Sequence, residues 1–252
     1  MQNESQKISI AEKIGYGLGD TASNLFFQIT IYYIMFFYTD VFGLNPKDVG
    51  LMFLLTRIWD AVNDPIMGAL ADKTKSKWGT YRPYLLWVAI PFGIIFLLTF
   101  WTPELWTQML GVDFSYGGKL AYAYITYTLM MMIYTVINVP YAALMGVISP
   151  NASERTVISS FRFVLVFIAQ FTIQFALIAM VKFFGDDTKT SIVGWQRAIM
   201  ILAAVASILF LITFFTTRER APISVTQRHS FGQNIKDIIG NDGSQTRANK
   251  YS

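Results

Sequence analysis

Six apolar runs, each long enough to cross a lipid bilayer, restrict this chain more than any other feature. They cover about 14–38, 47–71, 83–101, 120–148, 157–183 and 196–217, each near or above the roughly 20 residues that a hydrocarbon core demands. The spacing predicts an all-α membrane protein with six transmembrane helices. The fourth run is long enough to tilt or to extend past the core. Breakers separate the runs at Gly43 to Pro46, Thr102-Pro103, Ser115 to Gly118, Ser149-Pro150-Asn151 and Gly185 to Gly194. Charged residues make up 14% of the chain, against about a quarter in a soluble domain, and they gather in the short stretches between runs.

The distribution of positive charge orients the bundle. Residues 1–13, the 72–82 and 149–156 loops and the tail from Arg218 carry 13 Lys and Arg, and the opposite side carries 5. Arg57 and Arg162 lie inside runs. The positive-inside rule then places both termini in the cytoplasm, and the net charge of +4 reflects topology rather than nucleic-acid binding. The N-terminus has no short apolar region followed by a small-residue cleavage site, so the first run reads as a retained helix. Three regions follow: a cytoplasmic N-terminus over 1–13, the bundle over 14–217 and a cytoplasmic tail over 218–252. In the tail, Phe231, Ile235, Ile238 and Ile239 recur at helical spacing, which predicts a short amphipathic helix. The polar sequence after Gly240 is expected to be disordered. The chain has no Cys, and its single His229 lies in the tail, which excludes disulfides, thiolate metal sites and a Ser-His triad.

The second run contains Arg57-Ile-Trp-Asp60-Ala-Val-Asn63-Asp64-Pro65. Ionisable groups at membrane depth are costly and normally face a polar cavity that carries function. Asp60, Asn63 and Asp64 stand at i, i+3 and i+4 on one helical face, with Arg57 a turn earlier. Two carboxylates and an amide oxygen aimed together suit a small hard cation. The plainer reading is an Arg–Asp pair that pins two helices.

Other polar residues follow helical stripes. Gly15 and Gly19 make a small-xxx-small pair for close packing. Asp20, Asn24 and Gln28 run along one face of the first helix and read as cavity lining, although Asp20 also suits a solvated helix start. In the fourth run Tyr127, Tyr134, Asn138 and Tyr141 form one stripe with Thr135 beside it. Hydroxyls and amides interleaved with flat rings suit a sugar, and helix–helix hydrogen bonding is the alternative. Pro140 kinks the helix just beyond. Arg162 needs either the interface or a carboxylate, with Asp20, Asp60 and Asp64 as candidates. The 72–82 loop anchors by its positive charges, and Asp72 with Arg82 is expected to form a charge latch. Most of the tryptophans fall near run ends, as an interfacial belt does.

The stretches Lys13 to Asp20, Phe36 to Gly43, Arg57 to Pro65, Trp78 to Pro83, Tyr134 to Tyr141 and Phe215 to Arg220 resemble the glycoside–pentoside–hexuronide:cation symporters. The match runs almost continuously from about Lys7 to Asp242. It is nearer the bacterial xyloside and glucuronide-type permeases than the melibiose permease. The resemblance implies the major facilitator fold, two six-helix halves rocking about a midplane site, of which this chain matches the N-terminal half. It implies a cation site at Asp60, Asn63, Asp64 and Thr135, with Na⁺ or H⁺ as the coupling ion and no cofactor. It implies a sugar site drawing on Asn24, Tyr134, Asn138 and Arg162, with Arg57 lining the cavity. The melibiose permease has acids where this chain has Asn24 and Asn138, and Trp where it has Ala142, so melibiose is not the expected substrate.

The expected function is therefore secondary transport of a glycoside or pentoside with Na⁺ or H⁺ across a bacterial inner membrane. The expected partners are sugar, monovalent cation, lipid and a C-terminal six-helix half, with no nucleic acid. One alternative is a fragment that binds cation or pairs with a partner half without transporting. A remote one is an intramembrane aspartyl protease, because Gly17-Leu-Gly-Asp20 spells GxGD. The Tyr-Asp helix and Pro-Ala-Leu motif that accompany that string are missing, and a short motif without its context is weak.

Overall fold

The computed structural model describes residues 8–111 and 113–220. The expected tail helix at Phe231 to Ile239 and the single His229 lie outside them. In chain order the elements are α1 (Ile10–Tyr32), α2 (Ile34–Phe36), a π-helix (Phe37–Val41), α3 (Pro46–Lys73), α4 (Arg82–Thr99), α5 (Pro103–Leu110), α6 (Tyr116–Ile148), α7 (Ala152–Phe184) and α8 (Ile192–Thr216). Four of these, α4, α6, α7 and α8, are long and apolar enough to cross a membrane by length and composition alone. The other two long helices carry the polar groups, Asp20, Asn24 and Gln28 in α1 and Arg57, Asp60 and Asp64 in α3.

Helix starts follow local chemistry. Ser9, Asn45, Ser115, Asn151 and Ser191 each cap a helix by accepting a first-turn backbone N–H, which satisfies donors the helix leaves open. Pro46, Pro83 and Pro103 sit at first-turn positions, where a missing N–H costs nothing.

Two elements differ from the expectation. The first run is not one helix to position 38. It breaks at Tyr33 (φ −128°, ψ −15°) and continues as α2 and the π-helix. There Phe37 and Tyr38 are fully buried and Phe37 lies against Phe100 and Trp195, so ring packing outweighs helix regularity. The connection after Thr102 holds α5, which ends on Gly111 in the left-handed region. An eight-residue helix between two polar loops is too short for periodicity to show.

Packing is uneven. α1 lies against α7 and α8, α4 against α6 and α8, and α3 mainly against α6. Close approach depends on three glycines of α1. A Cβ at Gly15 would collide with Thr216 Oγ1, one at Gly17 would fall 2.7 Å from Leu165 Cδ1, and one at Gly19 2.6 Å from a ring carbon of Tyr141. Tyr16 and Tyr141 stack with ring centroids 4.6 Å apart. Each hydroxyl donates to the other residue's carbonyl, Tyr141 at 2.7 Å and Tyr16 at 3.2 Å. In contrast, α3 exposes Leu54, Ile58, Val62 and Ile66, and α7 exposes Phe163, Phe167, Phe171 and Phe175.

The segment after α8 is tied back to the bundle. Glu219 accepts from the backbone N–H groups of Thr80 (2.9 Å), Tyr81 (2.8 Å) and Arg82 (2.9 Å), at the start of α4, where the helix dipole favours an anion. Glu12 accepts from the backbone N–H of Arg218 at 2.9 Å and holds the Arg220 guanidinium in a two-pronged pair at 2.6 and 2.8 Å. These bonds push the Arg220 pKa above its ordinary value, so its charge is permanent. Lys13 pairs with Glu154 at 3.0 Å.

Candidate functional site

The polar groups of α3 meet α6. Thr135 Oγ1 donates to Asp64 Oδ1 at 2.8 Å, and Thr135 is buried while Asp64 is exposed. One turn back, Asp60 Oδ1 is buried with no hydrogen-bond partner among the described residues, as is Asn63 Nδ2. Asp64 and Arg57 are the charged neighbours of Asp60. Arg57 is exposed and forms no ion pair among the described residues, so the helix-pinning Arg–Asp pair is not made. The result is a set of hard oxygens with a net charge of −1 over Arg57, Asp60 and Asp64, one of them a buried oxygen that lacks a donor. Such an oxygen is costly unless something fills it, and a small hard cation fits the donor set.

A second cluster joins α1, α6 and α7. Arg162 Nε lies 3.4 Å from Asp20 Oδ2, so of the three candidate carboxylates Arg162 takes Asp20. Asn24 Nδ2 donates to the Asp20 carbonyl at 2.9 Å and to Asp20 Oδ1 at 3.1 Å. Gln28 Nε2 donates to Asn24 Oδ1 at 3.3 Å. Ser23 Oγ donates to Asn138 Oδ1 at 2.7 Å, and Asn138 Nδ2 donates to the Tyr134 carbonyl at 3.0 Å. Tyr134 is half-buried, with its ring stacked 6.0 Å from Phe27.

The fourth-run stripe divides. Tyr134 and Asn138 stay with the polar cluster, whereas Tyr127 and Tyr141 are buried. Tyr127 packs on Phe53 and Tyr38 and Tyr141 locks to Tyr16. For Tyr141 the helix–helix hydrogen-bonding alternative holds, and Tyr127 fills the core through its ring contacts. A stripe of 7, 4 and 3 drifts around the helix, so its ends meet different neighbours.

The expected latch does not close directly. Asp72 Oδ1 accepts from the Tyr81 hydroxyl at 2.7 Å. Burial first, and then this bond, push the Tyr81 pKa up, so the hydroxyl stays a donor. Arg82 instead donates to the Phe214 carbonyl at 2.7 Å and lies over the Phe214 ring. The carboxylate that does engage the start of α4 is Glu219, which the sequence reading quoted within Phe215 to Arg220 without a role. Its signal is a Glu placed just past a helix end beside two arginines.

The family model described as MFS/sugar transport protein matches residues 15–245. The chain belongs to this family. Its curated relatives place it among the glycoside–pentoside–hexuronide:cation symporters, with the helices of the N-terminal half of a major facilitator-type transporter. The chain is 43% identical over 241 residues to the inner membrane symporter YicJ of Escherichia coli, covering 95% of this chain and 49% of that protein. It is 36% identical over 210 residues to the isoprimeverose transporter of Lactiplantibacillus pentosus, covering 83% and 42%. It is 29% identical over 223 residues to a glucuronide carrier protein homolog of Escherichia coli, covering 88% and 47%. The chain thus spans about half the length of the curated relatives it matches. Symporters of this family are transporters rather than enzymes, which removes the protease reading, and Asp20 here faces Arg162 rather than a second aspartate.

In a symporter of this family, Thr135→Val tests the α3–α6 contact at nearly constant shape. The loss of one charge-assisted bond is expected to lower stability by about 1 kcal/mol, discounted because Asp64 is exposed. A lowered melting midpoint by circular dichroism in detergent measures it.

Proposed function

We propose that this chain supplies the cation site and half of the sugar cavity of a symporter that moves a glycoside or pentoside with Na⁺ or H⁺ by alternating access. The observation that carries the reading is the adjacency of Tyr134 and Thr135 on α6. Thr135 bonds Asp64 in the cation cluster, and Tyr134 sits beside Asn138 and Phe27 in the polar cluster. The cation site is Asp60, Asn63, Asp64 and Thr135. The sugar site is Asn24, Arg57, Tyr134, Asn138 and Arg162. Asp72 and Arg82 belong to the cytoplasmic gate, each through its own partner, and both termini are cytoplasmic by the charge asymmetry of the loops.

One monovalent cation neutralises the cluster's net charge of −1. Empty, Asp60 and Asp64 repel, which loosens α3 against α6 and so disturbs the turn that carries Tyr134 and Asn138. Coupling is reciprocal, so cation raises sugar affinity by the factor with which sugar raises cation affinity. The exposed apolar faces of α3 and α7 suit a complementary six-helix half, which completes the cavity for transport.

Thermal unfolding of the purified chain in NaCl and in choline chloride tests the reading. Saturation at about 100 times the dissociation constant adds about 2.7 kcal/mol of stability. The shift is expected in the wild type and absent in Asp64→Asn. An equal shift in both would refute the site. A wild-type shift produced by lowering pH in place of adding Na⁺, and lost in Asp64→Asn, identifies H⁺ as the coupling ion.

A further inference from the structure

We propose that Asp20 is a positioning residue for the sugar site, which holds Arg162 charge-compensated and gives the Asn24 amide a side-chain acceptor, while leaving terminal donors of Arg162 for a sugar hydroxyl. The inference rests on the sugar site assigned above and adds a residue outside it.

A guanidinium at membrane depth needs a counter-charge. Asp20 Oδ2 supplies one at 3.4 Å, yet Arg162 Nε is buried and has no hydrogen-bond partner among the described residues. The pair is thus a charge contact without an aligned bond. Charge is balanced through the buried Nε, and the terminal nitrogens of a side chain that is 26% exposed are the donors left for a ligand. A planar fork of this kind presents fixed donors to the oxygens of a polyol. The approach is set by backbone, because Gly17 brings α1 to within 3.2 Å of Arg162 Cα measured from an added Cβ.

Direction is the second observation. An ionised carboxylate only accepts, so Asp20 Oδ1 at 3.1 Å joins the Asp20 main-chain carbonyl at 2.9 Å in taking the Asn24 NH₂. The Asn24 oxygen then points the other way and accepts from Gln28 Nε2. Gln28 is 6% exposed and its Oε1 is buried without a partner, as expected at the far end of a string whose polarity is imposed from Asp20. Asn24 Oδ1 keeps a second lone pair, so beside Arg162 the site offers a donor and an acceptor together, the complement of a hydroxyl. An aspartate that merely pinned α1 to α7 would be replaced equally well by a neutral pair.

The test uses the full-length protein in membranes with Asp20→Asn, Asp20→Glu and the neutral pair Asp20→Asn/Arg162→Gln. The first readout needs no sugar: phenylglyoxal labelling of Arg162, followed by peptide mass spectrometry. Asp20→Asn is expected to raise the labelling rate about fivefold, as a released guanidinium becomes more accessible. The second is binding of 4-nitrophenyl xyloside, glucoside and glucuronide. The best-bound of these is expected to lose about tenfold in affinity in Asp20→Asn, one charge-dependent contact, and to return to within about threefold in Asp20→Glu. The neutral pair is expected to melt like the wild type but bind sugar no better than Asp20→Asn. Unchanged labelling of Arg162, or wild-type sugar binding by the neutral pair, overturns the role of Asp20. A wild type that binds none of the three glycosides overturns the sugar reading instead, and the labelling result still decides whether Asp20 holds Arg162.

Discussion

A Glu219→Ala chain is expected to unfold with about 2–3 kcal/mol less stability than the wild type, read as a lowered melting midpoint by circular dichroism in detergent. Three backbone N–H groups at the start of α4 lose their acceptor, and bonds to a charged group contribute about 1.5–3 kcal/mol each. The sum is discounted because Glu219 is half-buried and water replaces part of what is lost. Glu219→Gln keeps one carbonyl oxygen and should fall between. Neighbouring Gly79 offers an independent check. It has φ +115°, and an added Cβ would sit 2.5 Å from the Glu219 carboxyl carbon, so Gly79→Ala combines backbone strain with eviction of the acceptor. If Glu219→Ala and wild type melt together, the three bonds contribute nothing net and the tie is incidental.

Gly19→Val is expected to be the more severe change, lowering stability by about 3 kcal/mol or more or preventing folding. The added Cβ meets the Tyr141 ring at 2.6 Å and Thr213 at 3.1 Å, and the ring cannot retreat without breaking the bond its hydroxyl donates to the Tyr16 carbonyl and unstacking from the Tyr16 ring. Gly50→Ala provides the contrast, since nothing lies within 4 Å of that position. There the helix gains about 0.5–1 kcal/mol from the lost glycine freedom. Opposite signs at two helical glycines would show that close approach, rather than propensity, decides where this bundle keeps glycine. A matching loss at both would refute it.

Run length was enough to place α4, α6, α7 and α8, because a bilayer-sized apolar segment has few other outcomes, whereas α1 and α3 carry polar groups and fall below that apolarity. The break at Tyr33 was not legible, since it depends on how Phe37, Phe100 and Trp195 pack across three elements. Helical spacing brought Asp60, Asn63 and Asp64 together, and the structure adds Thr135, whose part came from family resemblance and not from any local signal. For Arg162, burial reasoning left three carboxylates open, and only the packing of α1 on α7 selects Asp20. Tyr127 and Tyr141 stayed undecided because an amphipathic ring looks the same in sequence whether it lines a cavity or fills a core. The partners of Asp72 and Arg82 were not legible for a related reason. Opposite charges near each other in sequence pair only if no better partner intervenes, and here a tyrosine hydroxyl and the Phe214 carbonyl do.

The exchange of hydroxyl-to-carbonyl bonds between Tyr16 and Tyr141 also limits how the bundle can deform. Sliding α1 along α6 by a single residue, about 1.5 Å, would break both bonds and unstack the rings together. The two helices therefore act as one strut, with a spacing that serves as an internal ruler. Any rocking must be absorbed elsewhere along these helices, at Pro140 inside α6 or at the break at Tyr33, where regular helix gives way to the π-helix.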